Sequence, residues 1–257
     1  MTPSTIKDVN NSTDKTVQIN PACKLQTIRM GDENNIVVIV DDFLSDPASF
    51  LKQERLSSEF LEEADNYYPG VRSDMSSDYA SHLKAFFSEN ISGMFGTFGA
   101  GSWSVQSKLC LANTASADLS PIQSIPHFDT SDVNQIAAVH YLCDAPYQGT
   151  SFYKHRTSGF ESISPERSKA YFKWLSREAI TTGMPKSGYI TGDTALFKRV
   201  GKVACRYNRI IFYKSNLLHA GDINAKTDLS KDPLRGRLTA NSFIKLSRNT
   251  IDMNRNA

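Results

Sequence analysis

The sequence predicts a mainly β protein with supporting α-helices, built on a double-stranded β-helix, or jelly-roll, core. Three observations carry this expectation. The second half breaks into short β-rich runs separated by turn residues, the helical signals gather in the first hundred residues, and 257 residues suffice for one large sandwich or barrel but not comfortably for two full domains.

Residues 1 to about 33 are rich in Asn, Ser, Thr, Asp and Lys, and such a stretch is expected to form a polar, flexible N-terminal arm. Residues 34–257 are expected to form the single jelly-roll domain. Within it, IVVIV at 36–40 reads as a buried strand. N-terminal helices are expected over about 46–95. Asp46-Pro47 supplies a cap and first turn for a helix carrying Phe50, Leu51, Phe60 and Leu61, which ends before the turn Tyr68-Pro69-Gly70. A second helix is expected over Tyr79 to Met94, stopped by Gly93 and Gly96. The Gly-rich run GMFGTFGAGS lacks the G-K-[ST] ending of a phosphate loop and reads as a helix-to-strand connection.

The strand candidates that follow are SWSVQSKLCLA, NQIAAVHYLC, TSFYKH, GYITGDTALF, RIIFYKSNLLH and RLTANSFIKL. A helical insertion over about 165–180 interrupts them, opened by Ser164-Pro165, with Tyr171, Trp174 and Leu175 on one face. Its basic residues Arg167, Lys169, Lys173 and Arg177 read as a solvated face in preference to a substrate lid or partner surface.

Composition excludes more than it selects. A formal charge of +2 points to neither nucleic acid nor a membrane surface, and the four cysteines include no C-x-x-C pair and are expected to be reduced, buried thiols. With no apolar leader and no run long enough to span a bilayer, a soluble, cytoplasmic protein is expected. The oligomeric state is open.

The chemistry concentrates in I-P-H-F-D-T. A period of two places His127 and Asp129 on the same face of a strand end, where they can share one ligand. Two imidazoles and a carboxylate form the facial set that binds iron(II) and leaves positions open. His219, at the polar end of an apolar strand, is the natural third member. The alternative is a buried histidine bonded to a nearby aspartate, which needs no metal. Beyond His219, G-R-L-T-A-N puts Arg237 and Thr239 on one strand face, and an inward guanidinium needs an anion. His82 is expected at the surface, His140 on the face opposite Tyr141, and His155 as a strand-end residue or a part of a substrate mouth.

Over about residues 103–245 the sequence resembles the 2-oxoglutarate and iron(II)-dependent dioxygenases, in their prolyl-hydroxylase-like branch. The marks, in the family's order, are H-F-D at 127–129, AAVHYLCD at 137–144, Q-G-T-S-F-Y at 148–153, N-R-I-I-F-Y at 208–213, L-H-A-G at 218–221 and R-L-T at 237–239. The resemblance implies iron(II) on His127, Asp129 and His219. It further implies 2-oxoglutarate anchored by Arg237 with Thr239 and assisted by Tyr141, and dioxygen as the oxidant. Arg237 follows His219 across a longer loop than the family's, which makes Arg235 a competitor. Gln148-Gly149 stands where the family often has Gly-Gly, and no tyrosine before H-F-D is evident as a cofactor contact. The implied activity is hydroxylation of an unidentified small molecule or protein side chain, with release of succinate and carbon dioxide. The alternatives are a jelly-roll binding protein without turnover and another mononuclear metal enzyme, such as a zinc enzyme.

Overall fold

The structure, a computed structural model, describes residues 17–63, 67–96, 101–144, 147–183, 185–224, 227 and 229–247. The described elements are β1 (Lys24–Met30), β2 (Asn35–Asp41), α1 (Pro47–Leu56), β3 (Gly70–Asp74), α2 (Ser77–Phe86), β4 (Ser102–Ala112), β5 (Gln135–Tyr141), β6 (Gly149–His155), α3 (Pro165–Thr181), β7 (Phe197–Ala204), β8 (Arg209–Lys214), β9 (His219–Asp222) and β10 (Arg237–Ser247).

The strands form two antiparallel sheets, one ordered β1-β2-β8-β5-β10-β4-β3 and a shorter one ordered β7-β6-β9. The chain leaves the long sheet after β5, pairs β6 with β7 in the short one, returns through β8, crosses again as β9 and comes back as β10. This alternation between facing sheets is the winding of a jelly roll. An isolated antiparallel bridge between His127 and His219 extends the short sheet by one more segment.

Strand parity sorts the core. In β5, Ile136 and Ala138 face outward onto α1 and α2, where Phe50, Leu51, Tyr79, Leu83 and Phe86 cover them, while Ala137 and Tyr141 face the short sheet and meet Phe152, Val203 and Tyr213. The N-terminal helices thus back the long sheet and leave its other face for the interior. No described helix is long and apolar enough to cross a membrane.

Several local expectations are corrected. The part of the expected arm that lies within the described residues is not loose: Val17, Ile19 and Cys23 are buried and β1 pairs along its whole length with β2. Composition concealed this, because three buried apolar residues and one edge ladder suffice to fix a stretch that is polar on its other side. Residues 1–16 lie outside the described residues. Helix α1 ends at Leu56, before Phe60 and Leu61, because the Ser57 and Ser58 hydroxyls donate to the Glu54 carbonyl and close the last turn. Leu61 is exposed and bridges to Arg72 in β3. The second helix loosens after Phe86 into a π turn (Phe87–Ile91) and a 3-10 turn (Ser92–Phe95).

GYITGDTALF is not a strand; β7 starts only at its last residue, Phe197. Asp193 accepts a bond from the Arg199 backbone N–H and Thr194 accepts one from that of Phe197, so the end of the segment folds as a turn against the start of β7. On α3, Tyr171 is buried and Leu175 half-buried, but Trp174 is exposed with the Arg177 guanidinium over its ring. His82 is buried and bonded to Asp78, contrary to its expected surface position. His155 is fully buried, held between Ser158 and Glu178 of α3.

Candidate metal centre

The backbone bridge that extends the short sheet also assembles the site. His127 N–H donates to the His219 carbonyl at 2.9 Å and His219 N–H to the His127 carbonyl at 2.8 Å, so the two side chains leave the ladder side by side, with ring centroids 4.3 Å apart. Asp129 N–H donates to Ser215 O at 2.8 Å, holding the carboxylate on the same face. One potential donor atom from each of His127, Asp129 and His219 lies within 4.8 Å of the others. The His127 Nε2 to Asp129 Oδ1 separation is 3.8 Å, and that of His219 Nε2 to Asp129 Oδ2 is 3.9 Å. These are spacings across a common ion, too long for direct hydrogen bonds.

The protonation states suit a cation. Desolvation inside the cavity, reinforced by the neighbouring His219 ring, lowers His127 to about 4 against the pull of Asp129, although its side chain is 54 % accessible on the cavity wall; burial lowers His219 to about 4. Both imidazoles are therefore neutral near pH 7. Burial raises the Asp129 carboxyl to about 6, opposed by His127, so it is ionised at that pH. Its Oδ2 is buried with no hydrogen-bond partner among the described residues. His219 Nδ1–H donates to the Leu217 carbonyl at 2.9 Å, which fixes the tautomer that leaves a lone pair on Nε2. A buried anion beside two neutral nitrogen donors fits a divalent transition metal.

A prediction arises here. With its carboxyl raised from 3.8 to about 6, folded metal-free protein holds the Asp129 proton more tightly than the unfolded chain does. This contribution to stability is intact below about pH 4 and is lost as pH rises through about 6, by on the order of 2–3 kcal/mol at full ionisation. Denaturant unfolding in chelator should therefore show Asp129→Asn gaining on wild type between pH 4 and 7. A difference that stays flat with pH would refute the buried, unpaired carboxylate.

The three side chains line a cavity of about 620 Å³ between the sheets. Phe128, Phe172 and Leu175 form an apolar wall, and Arg72, Lys108 and Asn241 stand on the long-sheet side. Arg237 enters the same cavity 5 % exposed. One of its terminal nitrogens donates to the Gly149 carbonyl at 2.9 Å, Nε has no hydrogen-bond partner, and no carboxylate among the described residues pairs with it. Gly221 explains how it fits. Gly221 shares a strand face with His219, and a Cβ there would lie 3.6 Å from the Arg237 guanidinium. The guanidinium therefore sits about two residues, roughly 6–7 Å, along the strand from His219. Arg235 is exposed on the preceding loop.

The other two residues expected at the anchor are placed differently. Thr239 is on the interior face with Arg237, as strand parity requires, yet its hydroxyl is turned to the Cys110 carbonyl at 3.5 Å. The Tyr141 hydroxyl bonds Thr150 at 2.8 Å in the core, within electrostatic reach of Arg237 but not on the cavity wall. Five tyrosines that sequence reasoning did not select as site residues line the cavity: Tyr67, Tyr68, Tyr171, Tyr189 and Tyr213. Tyr213 feels both Asp129 and Arg237, which puts it between the two poles of the site. Tyr68 interacts with Arg237 from the turn before β3. The only sequence signal for Tyr68 was Tyr-Pro-Gly, which marks a turn and says nothing of where the ring points.

No curated protein matches this chain. Among solved structures, it is similar to the non-heme α-ketoglutarate-dependent epimerase SnoN from nogalamycin biosynthesis, at 14% identity and a TM-score of 0.40, over 81% of this chain and 76% of that one. HygX from Streptomyces hygroscopicus, with nickel and 2-oxoglutarate bound, matches at 9% identity and 0.42, over 82% and 83%. An N-substituted L-amino acid dioxygenase from Burkholderia ambifaria AMMD matches at 13% and 0.38, over 86% and 92%. The model of a family of unknown function, DUF6445, matches residues 21–244, and the chain belongs to that family.

Proposed function

We propose that the protein is an iron(II)- and 2-oxoglutarate-dependent oxygenase, with the metal held by His127, Asp129 and His219 and the co-substrate anchored by Arg237. The observation that carries this reading is one cavity holding both a His/Asp/His cluster within 4.8 Å and a buried guanidinium with no carboxylate partner among the described residues. A dicarboxylate answers both: one end chelates a metal and the other neutralises the arginine.

Bound iron(II) would supply the coupling of dioxygen reduction to decarboxylation of 2-oxoglutarate, giving succinate and carbon dioxide while one oxygen atom goes to the substrate. The chain supplies the rest. Asp129 contributes the one anionic ligand, and the Leu217 carbonyl keeps the His219 ring oriented. Arg237 offers a planar fork to the distal carboxylate, and the Gly149 carbonyl holds that fork in place. Phe128, Phe172 and Leu175 offer apolar surface to a substrate beside the metal ligands. Retention of the carboxylate at Asp129, where related halogenases carry a small residue, favours hydroxylation. The substrate is a small molecule or a protein side chain.

Metal-free protein reloaded anaerobically with iron(II) should bind 2-oxoglutarate and, on admission of dioxygen, release succinate. Iron-loaded protein that binds no 2-oxoglutarate would remove the co-substrate from the proposal. Turnover supported by zinc without consumption of dioxygen would establish a different metal enzyme, and tight 2-oxoglutarate binding with no succinate under any substrate screen would leave a binding protein.

A further inference from the structure

Two of the four cysteines converge on the back of the arginine pocket. Cys143 lies two residues beyond the end of β5 in the long sheet and Cys205 directly follows β7 of the short one, 62 residues apart in sequence. Their sulfurs are 3.8 Å apart, and the Cys205 thiol also donates to the Cys143 carbonyl at 3.2 Å. Cys143 is 8 % exposed and Cys205 half-buried. Both lie within electrostatic reach of Arg237.

The backbone connects this pair to the guanidinium. Cys205 N–H donates to the Gln148 carbonyl at 2.7 Å, and the next carbonyl along, that of Gly149, is the one that holds Arg237. The join is tight. Gly149 has φ +130°, and a Cβ on it would fall 2.0 Å from the Val203 carbonyl oxygen and 2.6 Å from the Cys205 nitrogen. Displacement of Cys205 therefore has no slack to absorb it before it reaches Gly149.

We propose that Cys143 and Cys205 are a peroxide-oxidisable dithiol whose disulfide ties the two sheets together behind Arg237 and lowers the affinity of that guanidinium for a carboxylate ligand. The coupling to ligand rests on the reading of Arg237 as the 2-oxoglutarate anchor; formation of the bridge does not. Oxidation consumes one hydrogen peroxide. The Cys143 sulfur takes one oxygen to become a sulfenic acid with release of water, and the Cys205 sulfur then attacks it, forming the S–S bond and expelling a second water. The two thiols lose two electrons and two protons, and the peroxide is reduced to two waters. Contact with Cys205 lowers the Cys143 thiol, against burial and helped by the Arg237 charge, so the pair holds thiolate character beside a guanidinium. Closing the sulfurs to bonding distance needs about 1.8 Å of approach. The part of that approach carried by the Cys205 backbone passes through the Gln148 and Gly149 carbonyls to the guanidinium, whose bidentate alignment tolerates only about 0.5 Å of misplacement. Cys23 and Cys110, whose thiols burial raises to about 11 and about 12, are internal controls.

The test treats full-length, metal-free protein with hydrogen peroxide in chelator, maps the bridge by non-reducing peptide mass analysis, then loads iron(II) anaerobically and titrates 2-oxoglutarate. The expected result is a single Cys143–Cys205 bridge, loss of two titratable thiols, and about a tenfold weaker 2-oxoglutarate affinity that dithiothreitol restores. Cys143→Ser and Cys205→Ser should each form no bridge and keep their affinity after peroxide; reversal by dithiothreitol in wild type serves if either variant fails to fold. No bridge, or a bridge to Cys23 or Cys110, overturns the proposal. A bridge with unchanged affinity overturns the coupling alone, whereas reduced protein that ignores 2-oxoglutarate overturns the oxygenase reading and the coupling with it.

Discussion

Asp129→Ala should lower iron(II) affinity by on the order of a hundredfold or more and abolish succinate release, while metal-free protein melts no lower than metal-free wild type. The two halves of this result have separate causes. Asp129 is the only anion of the three clustered side chains, so its loss removes the charge that compensates a divalent cation. Its contribution to the fold runs the other way. Oδ2 is buried without a hydrogen-bond partner among the described residues, and the bond that positions the residue, from its backbone N–H to Ser215 O, survives in alanine. Truncation therefore removes a desolvated charge and leaves the backbone ladder intact. Isothermal titration of anaerobic iron(II) into each protein, beside thermal melts in chelator, separates the effects. Unchanged iron affinity combined with a collapsed melting temperature would make Asp129 a structural residue and end the metal-site proposal.

The parts of this architecture that were legible in the sequence are those set by strand parity. His127 and Asp129 share a face because they are two apart, as do Arg237 and Thr239. The structure keeps each pair on one face. What parity cannot give is the rotamer. Thr239 keeps its place on the interior face but turns its hydroxyl to a backbone carbonyl, and Tyr141 commits its own to Thr150. Residues that arrive from loops were also out of reach. Tyr68 and Tyr189 reach the cavity through turns whose path is fixed by long-range bonds, such as Asn113 N–H to the Pro69 carbonyl and the Tyr189 hydroxyl to the Thr114 carbonyl. No local pattern encodes those. The GYITGDTALF segment misled for a related reason, since its alternation resembles a strand while Asp193 and Thr194 bond the backbone at the start of β7 and close a turn.

Arg237→Ala should weaken 2-oxoglutarate binding by roughly ten- to a hundredfold, which corresponds to about 1.5–3 kcal/mol for a charge-assisted bond, and leave iron(II) affinity nearly unchanged. The selectivity comes from position. The guanidinium stands along the strand face from His219, against Gly221, and belongs to no ligand set, so its removal should be felt at the far end of a bound dicarboxylate. Arg237→Lys should recover only part of the loss, since an ammonium supplies charge without the planar fork that the Gly149 carbonyl orients. Arg235 is the control, because it is the neighbouring cation on the loop before β10 yet is exposed, and Arg235→Ala should bind 2-oxoglutarate as wild type does. Titration of 2-oxoglutarate into anaerobic iron-loaded protein decides among these. Wild-type affinity in Arg237→Ala with a large loss in Arg235→Ala would move the anchor two residues back along the chain. A loss in neither would mean that the buried guanidinium serves some other anion, and the His127, Asp129 and His219 cluster would then need a different partner in the cavity.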